Sequence, residues 1–280
     1  MHVECCGSGD PILFIHGMPT NGRLWRAVTD ELRERYTCFT IDLPGLGKTP
    51  KEQYGPDYFR RLANQIDALR IENGIAKWHV VGHDAGSVVT VHYAHYFQQY
   101  VDCMALLSPA LFPELRPYFL IEPLRKRILG EMLAPFIRTA FWRIAMHRAL
   151  ETGGNDREIF DDFYEPFSGI TGPWKFMQVL RWGKPAEMLA QIPELLPHLL
   201  IPTLIFHGSH DPAIPEAFAR RASALIPNSR MIVLDSGHYI PVRQPKSVAA
   251  SLTTLFESRS PLPKTDDCWV QRPFCPIPLA

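Results

Sequence analysis

Trp78-His79-Val80-Val81-Gly82-His83-Asp84-Ala85-Gly86-Ser87-Val88-Val89 is the most telling stretch of this chain. Strand-like apolar sequence runs into Gly-x-Asp-x-Gly, and helix-like sequence follows. The pattern is that of a nucleophile elbow with aspartate where serine is more usual. The glycines have a steric reason. A side chain perched on so tight a turn sits in strained backbone, and residues two places either side collide unless they lack a Cβ. The alternative is an ordinary strand-to-helix loop in which Asp84 caps the helix. Ser87 is the weaker nucleophile candidate, because Val89 stands where its second glycine would have to be.

Outward from this segment, short apolar or β-branched runs recur at Ile12 to His16, Cys38 to Asp42, Cys103 to Leu107, Thr203 to His207 and Met231 to Leu234. Each is bounded by glycine, proline or a polar turn and reads as a buried parallel strand. Helical spacing falls between them, over Leu24 to Arg35, Tyr58 to Asn73, Ser87 to Tyr100, Glu216 to Leu225 and Lys246 to Glu257. The alternation predicts a mostly parallel sheet with helices on both faces, whose ligands meet the carboxyl ends of the strands.

Between residues 110 and 199 the alternation stops, and prolines punctuate pieces rich in Leu, Phe and Trp. This insertion leaves one strand end and returns to the next, so it is expected to form a helical cap that excludes water from chemistry beneath it. Extra stabilising helices are the plainer alternative. The expected organisation is a first core part over 1–109, the cap over 110–199, a second core part over 200–258 and a proline-rich tail over 259–280. Order in that tail is not expected, although Trp269 and Phe274 could dock it.

Composition bounds the chemistry. The 280 residues are 46% hydrophobic and 21% charged, with 29 basic against 29 acidic side chains. Zero net charge supplies no basic excess for nucleic acid or anionic lipid. No apolar run reaches the roughly 18 residues a membrane span needs, and the first residues have no leader pattern, so a cytoplasmic location is the expectation. The six cysteines are scattered, which argues against disulfides and zinc. Oligomeric state is not legible here.

Three further segments give the elbow a setting. Phe14-Ile15-His16-Gly17-Met18-Pro19 ends a strand in a His-Gly turn, and Pro19 biases Met18 toward extended backbone. The Met18 amide, together with that of Ala85, would then form a two-donor oxyanion hole. Leu204 to Pro212 is a strand followed by a loop carrying Asp211, and Leu234 to Tyr239 a strand followed by a loop carrying His238. The order Asp84, Asp211, His238 is that of nucleophile, acid and base.

With these motifs the chain resembles the α/β-hydrolase superfamily over about residues 7 to 257, in its Asp-nucleophile branch of epoxide hydrolases and haloalkane dehalogenases. Asp42-Leu43-Pro44-Gly45-Leu46-Gly47-Lys48-Thr49 is similar to that family's Asp-x-x-Gly-x-Gly-x-Ser loop, and Pro19-Thr20 to Leu24-Trp25-Arg26 to the dehalogenases. The resemblance implies an α/β-hydrolase fold with an inserted helical cap, a small-molecule apolar substrate, water as co-substrate, and no metal or organic cofactor.

An aspartate selects its electrophile. A serine ester at a carbonyl is cleaved by water, whereas serine on saturated carbon would leave an ether with no hydrolytic exit. A carboxylate displacing a leaving group from saturated carbon forms an alkyl ester that water opens at the aspartate's own carbonyl. An epoxide or a carbon–halogen bond is therefore expected, with Asp84 the nucleophile, His238 the base for water, and Asp211 orienting His238. The positions where the dehalogenases carry halide-binding Trp and Asn are Ala85 and Met18 here, neither a side-chain donor, which leaves a cap residue such as Trp142, Trp174 or Trp182 to compensate. Candidates for the acid that epoxide opening needs are Tyr164 and Tyr118, with His147 as an auxiliary. A binding module, or an enzyme using Asp84 and His238 only for acid–base work, is the contrasting class.

Overall fold

A computed structural model of the chain describes residues 1–116, 122–136, 157–181, 185–258 and 269–270. Eight strands form one sheet: β1 (Val3–Gly7), β2 (Asp10–Ile15), β3 (Tyr36–Ile41), β4 (Trp78–His83), β5 (Val101–Leu107), β6 (Thr203–Gly208), β7 (Ser229–Leu234) and β8 (Trp269–Val270). Their order is β1-β3-β2-β4-β5-β6-β7-β8. Only β1 runs antiparallel, against β3. The central strands β4 and β6 are buried along their whole length, as apolar runs without alternation require when both faces are covered.

Adjacent residues of β4 show what covers them. Trp78 packs its ring 5.9 Å from Tyr93 of α3 (Ala85–Phe97), while His79 stacks 3.8 Å from Phe256 of α12 (Pro245–Glu257). Successive strand side chains point to opposite faces, so α3 and α12 lie on opposite sides of the sheet. On the first side α2 (Tyr58–Glu72) packs against α3, and a buried chain of bonds joins them. Trp78 Nε1 donates to the Tyr93 hydroxyl (3.1 Å), which donates to Asp67 (3.3 Å), itself paired with Arg70 (2.7 Å). On the second side α1 (Arg26–Leu32) packs against α12.

Between β5 and β6 the described residues form short helices: α4 (Glu122–Arg125), α5 (Arg127–Leu133), α6 (Arg157–Tyr164), α7 (Gly172–Leu180), α8 (Pro185–Leu189) and α9 (Ile192–Leu195). After β6 come α10 (Glu216–Leu225) and α11 (Ile240–Arg243). The tail differs from expectation at one point. The backbone of Trp269 and Val270 pairs with Ile232 and Val233 and extends the sheet edge, where β7 otherwise presents unpaired groups. Phe274 lies outside the described residues. Cys5, Cys6, Cys38 and Cys103 are free thiols, the last two buried.

Candidate active site

The carboxyl ends of β2, β4, β5, β6 and β7 converge on one edge, and each delivers a residue there. Asp84 follows β4 with φ 51° and ψ −120°, a left-handed conformation costly for any residue with a Cβ. The turn is held from below, where the Asp84 amide donates to the Leu107 carbonyl (3.0 Å) and the Ser87 amide to the Asp84 carbonyl (3.0 Å). A Cβ on Gly82 would sit 2.3 Å from Thr90 Oγ1, and one on Gly86 2.3 Å from the Ile15 carbonyl. Both glycines are therefore steric requirements of the bend. The Asp84 side chain does not cap α3. It turns instead to the Met18 amide, which donates to Oδ1 at 2.9 Å, and to the amide of Ala85.

The turn after β2 is built to aim that Met18 amide. His16 is fully buried; its Nε2 accepts from the Leu43 amide (2.9 Å), which leaves Nδ1 to donate to the Gly17 carbonyl (2.8 Å). Burial lowers the His16 pKa to about 4, so the ring stays neutral and works as a strut. Gly17 lies so close to the elbow that a Cβ would meet the Asp84 Cβ at 2.4 Å. The neighbouring Asp42 loop is pinned by amides, Gly22 to Oδ1 (2.7 Å) and Lys48 to Oδ2 (2.8 Å).

Asp211 and His238 come from loops that continue the β6–β7 ladder. The Ser209 amide donates to the Leu234 carbonyl (2.9 Å) and the His210 amide to that of Ser236 (3.0 Å). Asp211 Oδ2 pairs with His238 Nδ1 at 2.9 Å, and Oδ1 accepts from the Ala213 (2.8 Å) and Ile214 (3.0 Å) amides. Burial alone would raise the Asp211 pKa, but the His238 charge and hydrogen bond, the Ile214 amide and the Ser108 hydroxyl outweigh it and hold the carboxyl well below its usual range. His238 Nε2 faces Asp84 Oδ2 at 3.8 Å, beyond direct hydrogen-bond length. For Asp84 burial wins: its pKa is raised, against the opposing pull of His238 and the two amides. Two residues here carried no clear sequence signal. His83 Nε2 donates to the His238 carbonyl (3.0 Å), and Ser108, at φ 42°, follows β5 beneath the acid.

A cavity of about 210 Å³ opens above Asp84, Ala85, Met18 and His238. Its walls are largely aliphatic: Leu43 and Leu46 from the Asp42 loop, Val88 and Val89 from α3, and Leu180 and Leu189 from the inserted helices, which thereby roof the site. Tyr58, at the start of α2, lines it; Tyr164 does not, being buried within the inserted helices. Tyr118, His147, Trp142 and Trp182 lie outside the described residues, and Trp174 is 39% exposed and does not line the cavity. His92 is buried on α3 and stacked 4.3 Å from Phe59. Among the described residues no group of three His, Cys, Asp or Glu is placed to hold a metal ion, and no helix is long and apolar enough to cross a membrane.

Known proteins share these features to different extents. The family model of the alpha/beta hydrolase fold matches residues 10–244. The chain is similar to 2-hydroxy-6-oxo-6-(2'-aminophenyl)hexa-2,4-dienoic acid hydrolase of Metapseudomonas resinovorans, at 24% identity over 91% of this chain and 86% of that protein. A shorter stretch, 39% of this chain and 37% of the relative, is 35% identical to soluble epoxide hydrolase of Corynebacterium sp.. In structure it is similar to haloalkane dehalogenase DbeA of Bradyrhizobium elkani, with a TM-score of 0.74 at 22% identity over 91% of this chain and 92% of that one.

Proposed function

We propose, from the premise that this chain belongs to the alpha/beta hydrolase fold family, that it opens the epoxide of a small, mainly aliphatic substrate through a covalent ester on Asp84. The observation that carries this reading is the division of labour on one carboxylate. Oδ1 accepts from the Met18 amide, the Ala85 amide also bonds the carboxylate, and Oδ2 lies 3.8 Å from His238 Nε2.

The chemistry runs in two halves. Oδ2 attacks a ring carbon, the carbon–oxygen bond breaks, and the electron pair leaves with the epoxide oxygen, which takes a proton. Tyr58 is the phenol suited to give it, since it lines the cavity and burial raises its pKa and keeps it protonated. Its place in the cavity wall favours it over Tyr164. His238 then removes a proton from water, the hydroxide adds to the Asp84 carboxyl carbon, and negative charge collects on Oδ1, where the Met18 amide already points. Collapse expels the diol alkoxide, which takes the proton from His238, and the proton left on the Asp84 carboxyl passes to the Tyr58 phenolate, restoring both groups. Asp211 holds the imidazole in the tautomer with Nε2 free and stabilises its charged form.

Haloalkane hydrolysis is the second reading; it uses the same ester, and the dehalogenase-like architecture favours it. Trapping separates them. With His238→Phe, attack proceeds and ester cleavage stops, so intact-protein mass spectrometry after an epoxide and a haloalkane panel should report an adduct on Asp84 from the epoxides. Adducts from haloalkanes alone would favour the second reading. Wild-type turnover of a panel member with no adduct would refute covalent catalysis in favour of acid–base chemistry.

A further inference from the structure

The described lining of the cavity carries an imbalance of charge that the reaction does not use. Lys51, Arg116 and Arg125 line it, and Asp84 is the single carboxylate among its described lining residues. Of the two arginines in this lining, Arg116 is exposed and Arg125 half-buried. Arg181 is paired with Glu131, Arg221 with Glu114, and Arg23 with Asp162. Arg125, half-buried on α4, gives one N–H to the Leu180 carbonyl and has no carboxylate partner among the described residues. Burial lowers its pKa, and no charge among the described residues acts the other way. A guanidinium partly withdrawn from water without an anion is unfavourable, and its planar fork matches a carboxylate in two parallel bonds.

We infer that the substrate carries a carboxylate at the end remote from its reacting carbon, and that Arg125 anchors it, with Arg116 and Lys51 contributing attraction from the same cavity. The position of the reacting carbon rests on the Asp84 chemistry proposed above; the anchor does not. Asp84 and His238 belong to the sheet edge and Arg125 to the inserted helices, with Leu43, Val89 and Leu180 lining the space they share. A short aliphatic chain ending in a carboxylate satisfies both ends, whereas a wholly apolar ligand would leave the guanidinium unmatched.

Calorimetric titration of the full chain with hexanoate and with hexanol at neutral pH tests this. Hexanoate should bind at least about tenfold more tightly, as a charge-assisted hydrogen bond in a partly buried site implies. Arg125→Gln should abolish that preference while moving hexanol affinity far less. Because Arg125 also ties α4 to the Leu180 carbonyl, the fold of that variant is checked by circular dichroism, and Arg125→Lys, which keeps the charge but not the fork, should retain part of the preference. Equal binding of the two ligands, binding of neither at millimolar concentration, or an unaltered preference in Arg125→Gln would overturn the inference. Failure of the ester chemistry reads differently: no adduct forms on Asp84 in His238→Phe with charged or neutral epoxides, while hexanoate remains preferred.

Discussion

At the scale of single residues, the ionisation of Asp84 is a contest between burial, which raises its pKa, and His238 with two amides, which lower it. In the proposed chemistry attack needs the carboxylate, so adduct formation should fall as pH drops through a pKa above the ordinary 3.8. In His238→Phe one lowering influence is gone, and the acid limb of trapping should move to higher pH than that of wild-type ester formation in a rapid-quench experiment. A limb at the same or lower pH would show that His238 does not feel the Asp84 charge. Ser108 acts one step further back, its hydroxyl donating to the His238 carbonyl (3.5 Å) and lowering the Asp211 pKa. Ser108→Ala should slow ester hydrolysis about tenfold, equivalent to ~1.4 kcal/mol, and leave ester formation nearly unaffected. Equal slowing of both steps in single-turnover kinetics would point to general loosening instead.

At the scale of elements, what the sequence made legible was whatever local chemistry dictates. Gly82 and Gly86 mark the elbow because a Cβ at either would strike backbone or Thr90. Asp211 and His238 were legible because both follow apolar strands. The place of Tyr58 and Arg125 in the cavity wall was not, since helical spacing tells which residues share a face but not which cavity that face meets. Ser108 was hidden for a related reason: only the paired strands β5 and β6 bring it under the acid. The inserted helices are held together by a device equally invisible in sequence. Arg181, just past α7, donates to the carbonyls of Arg125 (3.2 Å), Leu124 (3.1 Å) and Lys126 (3.0 Å), at the end of α4. These are carbonyls a helix end leaves unmatched, and a guanidinium fits them in charge and geometry. Arg181→Met should therefore free α4 and α5, which limited proteolysis would detect as faster cleavage within 122–136. Because Arg125 rides on α4, KM should rise several-fold while kcat changes little; a fall in kcat alone would mean that the roof shapes the chemistry and not the binding.

At the scale of the whole molecule, buried histidines govern how folding responds to acid. His16, His79 and His92 have pKa values lowered to about 4, and His83 to about 3, each chiefly by burial. The unfolded chain binds protons at these sites near 6.5, while the folded protein refuses them. Above 6.5 neither state is protonated and stability is unaffected; as pH falls below 6.5 the unfolded state gains protons alone, and stability is lost at up to about 1.4 kcal/mol per pH unit for each histidine. The depressed Asp211 acts in a different window, since its contribution is intact above 3.8 and is lost only below it. Loss between pH 7 and pH 5 therefore reports histidines. His79 isolates the effect, because it faces Phe256 on the side of the sheet opposite α3. His79→Phe keeps an aromatic ring against Phe256 and removes one titrating group, so its unfolding free energy in urea titrations should diverge from wild type by about 2 kcal/mol more at pH 5 than at pH 7, in the stabilising direction. Parallel pH dependences for the two proteins would mean that His79 takes up its proton in the folded state as readily as in the unfolded chain.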